Sequence, residues 1–274
     1  MNQRPSRRSL AALILATTLP LPAMEIIAHR GASFEAPENS LSAMKLAWQQ
    51  GADGIETDIH LSRDGHIVVI HDFDTKRVTG VQLRVAASTW EQLKNLDIGR
   101  RKHARWAGET IPTLDAVLAT IPEGKSIFVE IKVDDRILPM LEKTMAASGK
   151  SPAQIRILTF DLATARKAKR RFAQHQVYWL VGYGDDEATG RPPEVEEIIK
   201  LAKSAKIDGL DLDSRFPVDK TFVQKIHAAG LQAHVWTVDD PKLAAGLETS
   251  GVDSITTNRP DLLQARTKES EANN

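Results

Sequence analysis

The 274-residue chain is 42% apolar and 26% charged, with 36 basic side chains against 36 acidic ones. This is an ordinary globular composition without a disordered bias, and its balanced charge gives no support to nucleic acid as a partner. Having no cysteine, the chain holds no disulfide, thiolate nucleophile or cysteine metal site.

Arg4, Arg7 and Arg8 open the chain, residues 10–19 are apolar apart from Thr17 and Thr18, and Pro20, Pro22 and small Ala23 follow. This layout predicts a secretory signal peptide over residues 1–23 and an exported protein, periplasmic or secreted. The apolar run is shorter than the roughly 20 residues of a spanning helix, so no stable membrane insertion is expected after cleavage. What remains, about 250 residues, is the usual size of a (β/α)8 barrel.

Residues 25–28 read as a buried parallel strand that delivers His29-Arg30-Gly31 at its end. Pro37-Glu38-Asn39-Ser40 opens a helix, with Ser40 as N-cap and Leu41, Met44, Ala47 and Trp48 as the apolar stripe. Residues 54–60 form a second strand. Ile55, Thr57, Ile59 and Leu61 fall on one face of it, and Glu56, Asp58 and His60 on the other. A turn at Arg63-Asp64-Gly65 leads into the apolar residues 67–70, which end on His71-Asp72.

Residues 73–110 fit no βα unit. They are polar and irregular, with one helix at 89–96 and a basic run Arg100-Arg101-Lys102-His103 followed by Arg105 and Trp106. They are predicted to be a long insertion after the second strand, on the working face, with the basic run solvated. A helix over 111–119 leads to a strand at 126–133. Further strands at 154–160, 176–181, 209–213, 231–238 and 251–257 alternate with helices near 136–147, 161–172, 193–204, 218–228 and 241–248, and a disordered tail is predicted for 267–274. Eight strands alternating with helices predict an α/β fold, a (β/α)8 TIM barrel over residues 24–266. An open doubly wound sheet is the second choice, because no Gly-rich phosphate fingerprint follows any strand.

Glu56 and Asp58 lie two residues apart on a strand, so they point the same way about 7 Å apart. On the next strand Glu130 and Lys132 share the face opposite Val129, Ile131 and Val133. If both pairs face inwards, three carboxylates and one ammonium meet at one barrel mouth, at a cost in desolvation unless they find partners. A single divalent cation on Glu56, Asp58 and Glu130 supplies them, and oxygen ligands favour Mg2+ or Ca2+ over Zn2+. A self-neutralising salt-bridge network is the plainer alternative. His29 and His71 each end an apolar run and suit an acid/base pair at neutral pH. Arg30 and Lys132 carry charge fit for a phosphate. Trp236 shares a strand face with His234 and either floors a substrate pocket or fills the barrel mouth. Asp211 and Asp213 carry no assigned role.

Together, His29-Arg30-Gly31, Pro37-Glu38-Asn39-Ser40, Glu56-x-Asp58, His71-Asp72, Glu130-x-Lys132 and Thr257-Asn-Arg-Pro260 resemble the ordered motifs of the glycerophosphodiester phosphodiesterase family across residues 25–264. The resemblance implies a TIM barrel with an insertion after strand two. It implies hydrolysis of small-molecule glycerophosphodiesters to sn-glycerol 3-phosphate and an alcohol. By position it implies metal ligation by Glu56, Asp58 and Glu130, acid/base catalysis by His29 and His71, phosphate contacts from Arg30 and Lys132, and an aromatic contact from Trp236. The basic run at 100–105 departs from the family's pattern and bears on the alcohol side of specificity. Rival readings are cleavage of lysophospholipids on the same site, a barrel lyase or aldolase with Lys132 as Schiff-base nucleophile, and an exported phosphodiester-binding protein without catalysis.

Overall fold

A computed structural model describes residues 23–184 and 192–265. The predicted signal segment up to residue 22 and the predicted tail from 267 lie outside these residues. Eight parallel strands run in the order β1 (Glu25–Ala28), β2 (Gly54–Leu61), β4 (Ser126–Ile131), β5 (Ile155–Thr159), β6 (Gln176–Val181), β7 (Gly209–Asp213), β8 (Gln232–Trp236) and β9 (Ser254–Thr257). β1 pairs with both β2 and β9, which closes the barrel. β3 (Ile67–Val69) folds back antiparallel on the upper half of β2. No helix among the described residues is long and apolar enough to cross a membrane.

Period-2 alternation sorts the staves. Ile55 and Ile59 of β2, Ile127, Val129 and Ile131 of β4, and Leu210 and Leu212 of β7 face outwards into one apolar layer. α1 (Leu41–Gln49), α4 (Leu138–Ala147), α5 (Val195–Ala205) and α6 (Lys220–Ala228) cover that layer, burying for instance Met44, Leu141, Ile198 and Ile226. Full burial of one such aliphatic side chain contributes about 1.5–3 kcal/mol. Ser40 caps α1 as predicted, its hydroxyl accepting from the Ala43 amide at 3.0 Å.

Inside the barrel a small plug of Ile27, Phe128, Leu158, Tyr178 and Leu180 separates the two mouths. His234 sits in it, its ring 4.2 Å from Tyr178 and edge-on to Phe128 at 5.6 Å. Glu25 and Arg156 form an ion pair at the lower end.

Residues 73–110 depart from expectation. The predicted helix at 89–96 shrinks to α3 (Trp90–Leu93), preceded by another single turn, α2 (Lys76–Thr79). Asp97 collects the amides of Gly99, Arg100 and Gly108, a side-chain turn that competes with helix. The segment is also less polar inside than its composition suggests: its Val85, Leu93 and Ile98 bury with Ile111 against Val68 and Ile70 as a second core. The basic run is partly tethered, because Lys102 Nζ donates to the Ser33 carbonyl at 2.7 Å and Arg105 to the Glu35 carbonyl at 3.1 Å. The insertion is thereby fastened onto the loop after β1.

His234 is buried, and that burial lowers its pKa to about 3. Between there and the ordinary value near 6.5 the unfolded chain binds a proton that the folded chain refuses, so stability falls as pH falls through that window. Urea unfolding between pH 7 and 4.5 should show His234→Phe losing stability less steeply than the wild-type chain, by up to about 1.4 kcal/mol per pH unit. Parallel slopes for the two proteins would place the acid sensitivity elsewhere.

Candidate active site

The upper mouth is built from strand ends. In the β2–β4 register Asp58 lies beside Glu130, and Glu56 beside Phe128. One oxygen from each of Glu56, Asp58 and Glu130 lies within 4.8 Å of the other two, with all three side chains buried. At an effective dielectric of about 20, two unit charges that far apart repel by about 3 kcal/mol. Burial, with Asp58 and Glu130 nearby, pushes the Glu56 carboxyl well up, and burial with Asp58 raises Glu130 to about 7. Asp58 goes the other way: burial would raise it, but Arg30 and Lys132 outweigh that and hold it ionised.

Two cations share the cluster. Lys132 Nζ lies 2.6 Å from Glu130 Oε1 and 3.6 Å from Asp58 Oδ1. Arg30 Nε lies 3.2 Å from Asp58 Oδ2, at ion-pair distance but without hydrogen-bond alignment. Burial pulls the Lys132 ammonium down, yet Glu130 and Asp58 raise it above its ordinary value. It therefore stays charged, which removes the Schiff-base reading. The plainer alternative, a cluster satisfied by its own salt bridges, leaves a remainder. Glu56 Oε1 and Asp58 Oδ1 are buried without a hydrogen-bond partner. Three convergent carboxylates with two oxygens lacking a hydrogen-bond partner fit a hard divalent cation.

The backbone of the loop after β1 is shaped for this cluster. Arg30 and Gly31 are both left-handed, with φ of 55° and 78°. A Cβ on Gly31 would stand 2.6 Å from the Ala43 carbonyl carbon, so only glycine fits. The turn aims the Arg30 amide at Glu56 Oε2, 2.9 Å away. Asn39, also left-handed, donates to Asp58 Oδ2 at 2.7 Å and accepts from the Thr57 hydroxyl and the Asp58 amide.

Both predicted histidines reach the cluster with Nε2 forward. Asn258 donates to Asp239, which fixes its Oδ1 as the acceptor for His29 Nδ1–H at 2.8 Å. His29 Nε2 is left bare, 3.9 Å from Glu56 Oε2. Burial, then Arg30, lowers His29 to about 4, so it is neutral at pH 7. His71 Nδ1 pairs with Asp72 at 2.7 Å, and Lys132 approaches its Nε2 at 3.3 Å. His60 Nε2–H holds the His71 carbonyl at 3.0 Å. Asp72 continues through Arg77 to Glu38 and from there to Arg30. A chain of ion pairs thus joins the two loops that carry the histidines.

His29, Arg30, Glu56, His71, Glu130 and Lys132, with Trp236, line a cavity of about 190 Å3. A wider outer pocket of about 670 Å3 shares His71 and Lys132 with it and is rimmed by Phe73, Lys76 and Arg101. All eight predicted site residues border the inner cavity or belong to the carboxylate cluster inside it. Sequence reasoning left Asn39, Glu38, Asp72 and Asn258 without roles, although each sat in a quoted motif. It missed Phe160 and left Asp211 unassigned, and both line the same cavity.

Residues 29–262 match the glycerophosphoryl diester phosphodiesterase family. The chain is 30% identical over 242 residues to a putative glycerophosphodiester phosphodiesterase of Bacillus subtilis, covering 88% of this chain and 96% of that one. It is 31% identical to a glycerophosphodiester phosphodiesterase of Caldanaerobacter subterraneus, over 87% of this chain and 95% of that protein. Among solved structures, a phosphodiesterase of Oleispira antarctica in complex with the product sn-glycerol 3-phosphate superposes with a TM-score of 0.79 at 25% identity, over 90% of this chain and 97% of that one.

Protonated carboxylates cannot ligate, so cation affinity should climb as pH rises through about 7, the value of Glu130. Calorimetric titration at pH 6 and pH 8 checks this through the affinity and the protons released. A saturating divalent cation should also raise the thermal midpoint by roughly 5–10 °C. A midpoint indifferent to divalent cations would return the cluster to a salt-bridge network.

Proposed function

This chain belongs to the glycerophosphoryl diester phosphodiesterase family, a family of phosphoric diester hydrolases, and on that footing we propose that its upper barrel mouth hydrolyses glycerophosphodiesters to sn-glycerol 3-phosphate and an alcohol. One observation carries the assignment of residues: Glu56, Asp58 and Glu130 converge within 4.8 Å in a cavity that His29 and His71 also line. In this reading the three carboxylates hold one divalent cation, Mg2+ or Ca2+. When bound, that cation supplies Lewis-acid polarisation of the phosphate's non-bridging oxygens.

The protein's own groups do the rest. Lys132 and Arg30 exchange part of their carboxylate pairing for phosphate oxygens and offset charge as the transition state forms. His29 is neutral with a bare Nε2, so it is the group able to take the proton of the nucleophile. His71 borders the outer pocket, where an alcohol would depart, and Asp72 orients its ring through Nδ1. It is therefore assigned as the acid that protonates the leaving alkoxide. Trp236 forms an apolar wall of the inner cavity, its ring edge-on to Phe160 at 5.6 Å. Export through the N-terminal segment belongs to the same proposal.

A second reading, cleavage of lysophospholipids at this site, draws support from Phe73 and Phe160, which are 64% and 42% exposed near the mouth. Release of glycerol 3-phosphate from glycerophosphocholine, set beside choline release from lysophosphatidylcholine, separates the two. His29→Ala and His71→Ala should each lower kcat by about 100-fold or more with an unchanged thermal midpoint, and EDTA should abolish turnover. Near-wild-type kcat in either variant would remove that histidine from the mechanism, and full activity without metal would overturn the cation assignment.

A further inference from the structure

Outside both cavities, the upper face carries apolar surface that hydrolysis of a small diester does not need. Among the described residues seven large apolar side chains are exposed. Four of them, Phe34, Phe73, Val81 and Phe160, stand on the segments that follow β1, β3 and β5, around the upper mouth. Single exposed apolar residues are ordinary on a protein surface, but a group gathered at one end is not. Phe34 and Val81 border neither cavity, so contact with a bound diester does not account for them. Two of the rings lie under guanidinium groups: Arg259 is 4.0 Å from the centre of Phe34, and Arg84 is 5.6 Å from that of Phe73. Each pair presents apolar and cationic surface side by side.

Charge collects on the same face. Residues 73–110 hold eight Lys and Arg against four Asp and Glu, in a chain whose net charge is zero. Lys102, Arg105 and Arg101 donate to the carbonyls of Ser33, Glu35 and Arg77, and Arg84 rests on a ring. Carbonyls and rings fix these side chains without neutralising them. Carboxylates of the neighbouring loops are already engaged: Asp134 with Arg136, Asp135 with Lys167, Asp239 with Asn258, and Asp161 as a helix N-cap. Lys102 reaches the residue before Phe34, and Arg101 shares the rim of the outer pocket with Phe73, so the basic run joins the two rings into one surface. Bases alone would suit any polyanion. Exposed rings beside them call for an apolar medium as well, and a bilayer with anionic headgroups offers both.

We propose that the upper face docks peripherally on anionic phospholipid bilayers, with Phe34 and Phe73 entering the headgroup boundary and the bases of residues 73–110 meeting lipid phosphates, so that the barrel mouth opens towards the membrane. This goes beyond the functional reading above and is tested without turnover.

The chain has no cysteine, so Phe34→Cys and Phe73→Cys can each carry a polarity-sensitive fluorophore where the ring stood, with Glu123→Cys at the lower mouth as the reference position. On vesicles of phosphatidylglycerol and phosphatidylcholine in equal parts, the probes at 34 and 73 should shift to the blue and be quenched by a lipid-borne quencher, while the probe at 123 stays in water. Vesicles of phosphatidylcholine alone should leave all three in water, and added salt should release the bound protein. Lys76→Glu combined with Arg84→Glu in the Phe34-labelled chain, with its thermal midpoint unchanged, should weaken partitioning about 10-fold or more. Upper probes that stay in water, or a probe at 123 that shifts as much as they do, would overturn the docking face. So would equally tight binding to the neutral vesicles, or partitioning indifferent to the double charge reversal. A blue shift that grows with protein concentration in the absence of lipid would give the face to a second copy of this chain and overturn the proposal as well. Loss of the hydrolytic reading would leave each of these outcomes as decisive as before.

Discussion

Mutual repulsion among three buried carboxylates is the constraint around which the upper mouth is arranged. Glu56, Asp58 and Glu130 come from two neighbouring staves, and the pleat gives them one common direction. Three pairs at under 5 Å, each worth about 3 kcal/mol of repulsion, would open the barrel mouth if nothing answered them. Arg30 and Lys132 answer part of it, the raised proton affinity of Glu56 and Glu130 answers another part, and two carboxylate oxygens stay without a hydrogen-bond partner. A site left in this condition is poised for a cation and for an anion above it. Buried carboxylate oxygens left over in this way support the proposed cation site.

The surrounding loops hold that arrangement in place. Asn39 and Gly31 adopt left-handed backbone so that a side-chain amide and a main-chain amide both aim at the cluster. Glu38, Arg77 and Asp72 tie the loop after β1 to the one after β3, and Lys102 and Arg105 fasten the insertion over the same seam. The insertion therefore works as a brace between the two histidine loops, and its basic run is largely committed to that role. Arg101 lies at the rim of the outer pocket, its Nε donating to the Arg77 carbonyl.

Much of this was legible in the chain. The alternation in Gly54–Leu61 and Ser126–Ile131 already separated acidic from aliphatic faces, and His29 and His71 stood at the ends of apolar runs. Asp211 shows why the rest was not. In Gly209–Asp213 it alternates with Leu210 and Leu212 just as Glu56 alternates with Ile55, yet nothing nearby says whether it is paired. The helix predicted at 89–96 failed for a related reason: Asp97 bonds three amides up to eleven residues away, and local propensity carries no record of that.

By itself the sequence determined the order of strands and helices, the face on which each side chain lies, and the group of residue types fit for metal-assisted phosphodiester chemistry. These are local properties, set by a two-residue repeat and by capping within four residues. Tertiary structure alone decided the partners. Asn258 orients His29 across 229 positions, and Trp236 comes to stand level with Asp213 and Thr256, because barrel closure fixes register between distant staves. Hydrogen bonding and charge pairing depend on distances of a few ångströms, and only the closed barrel sets those.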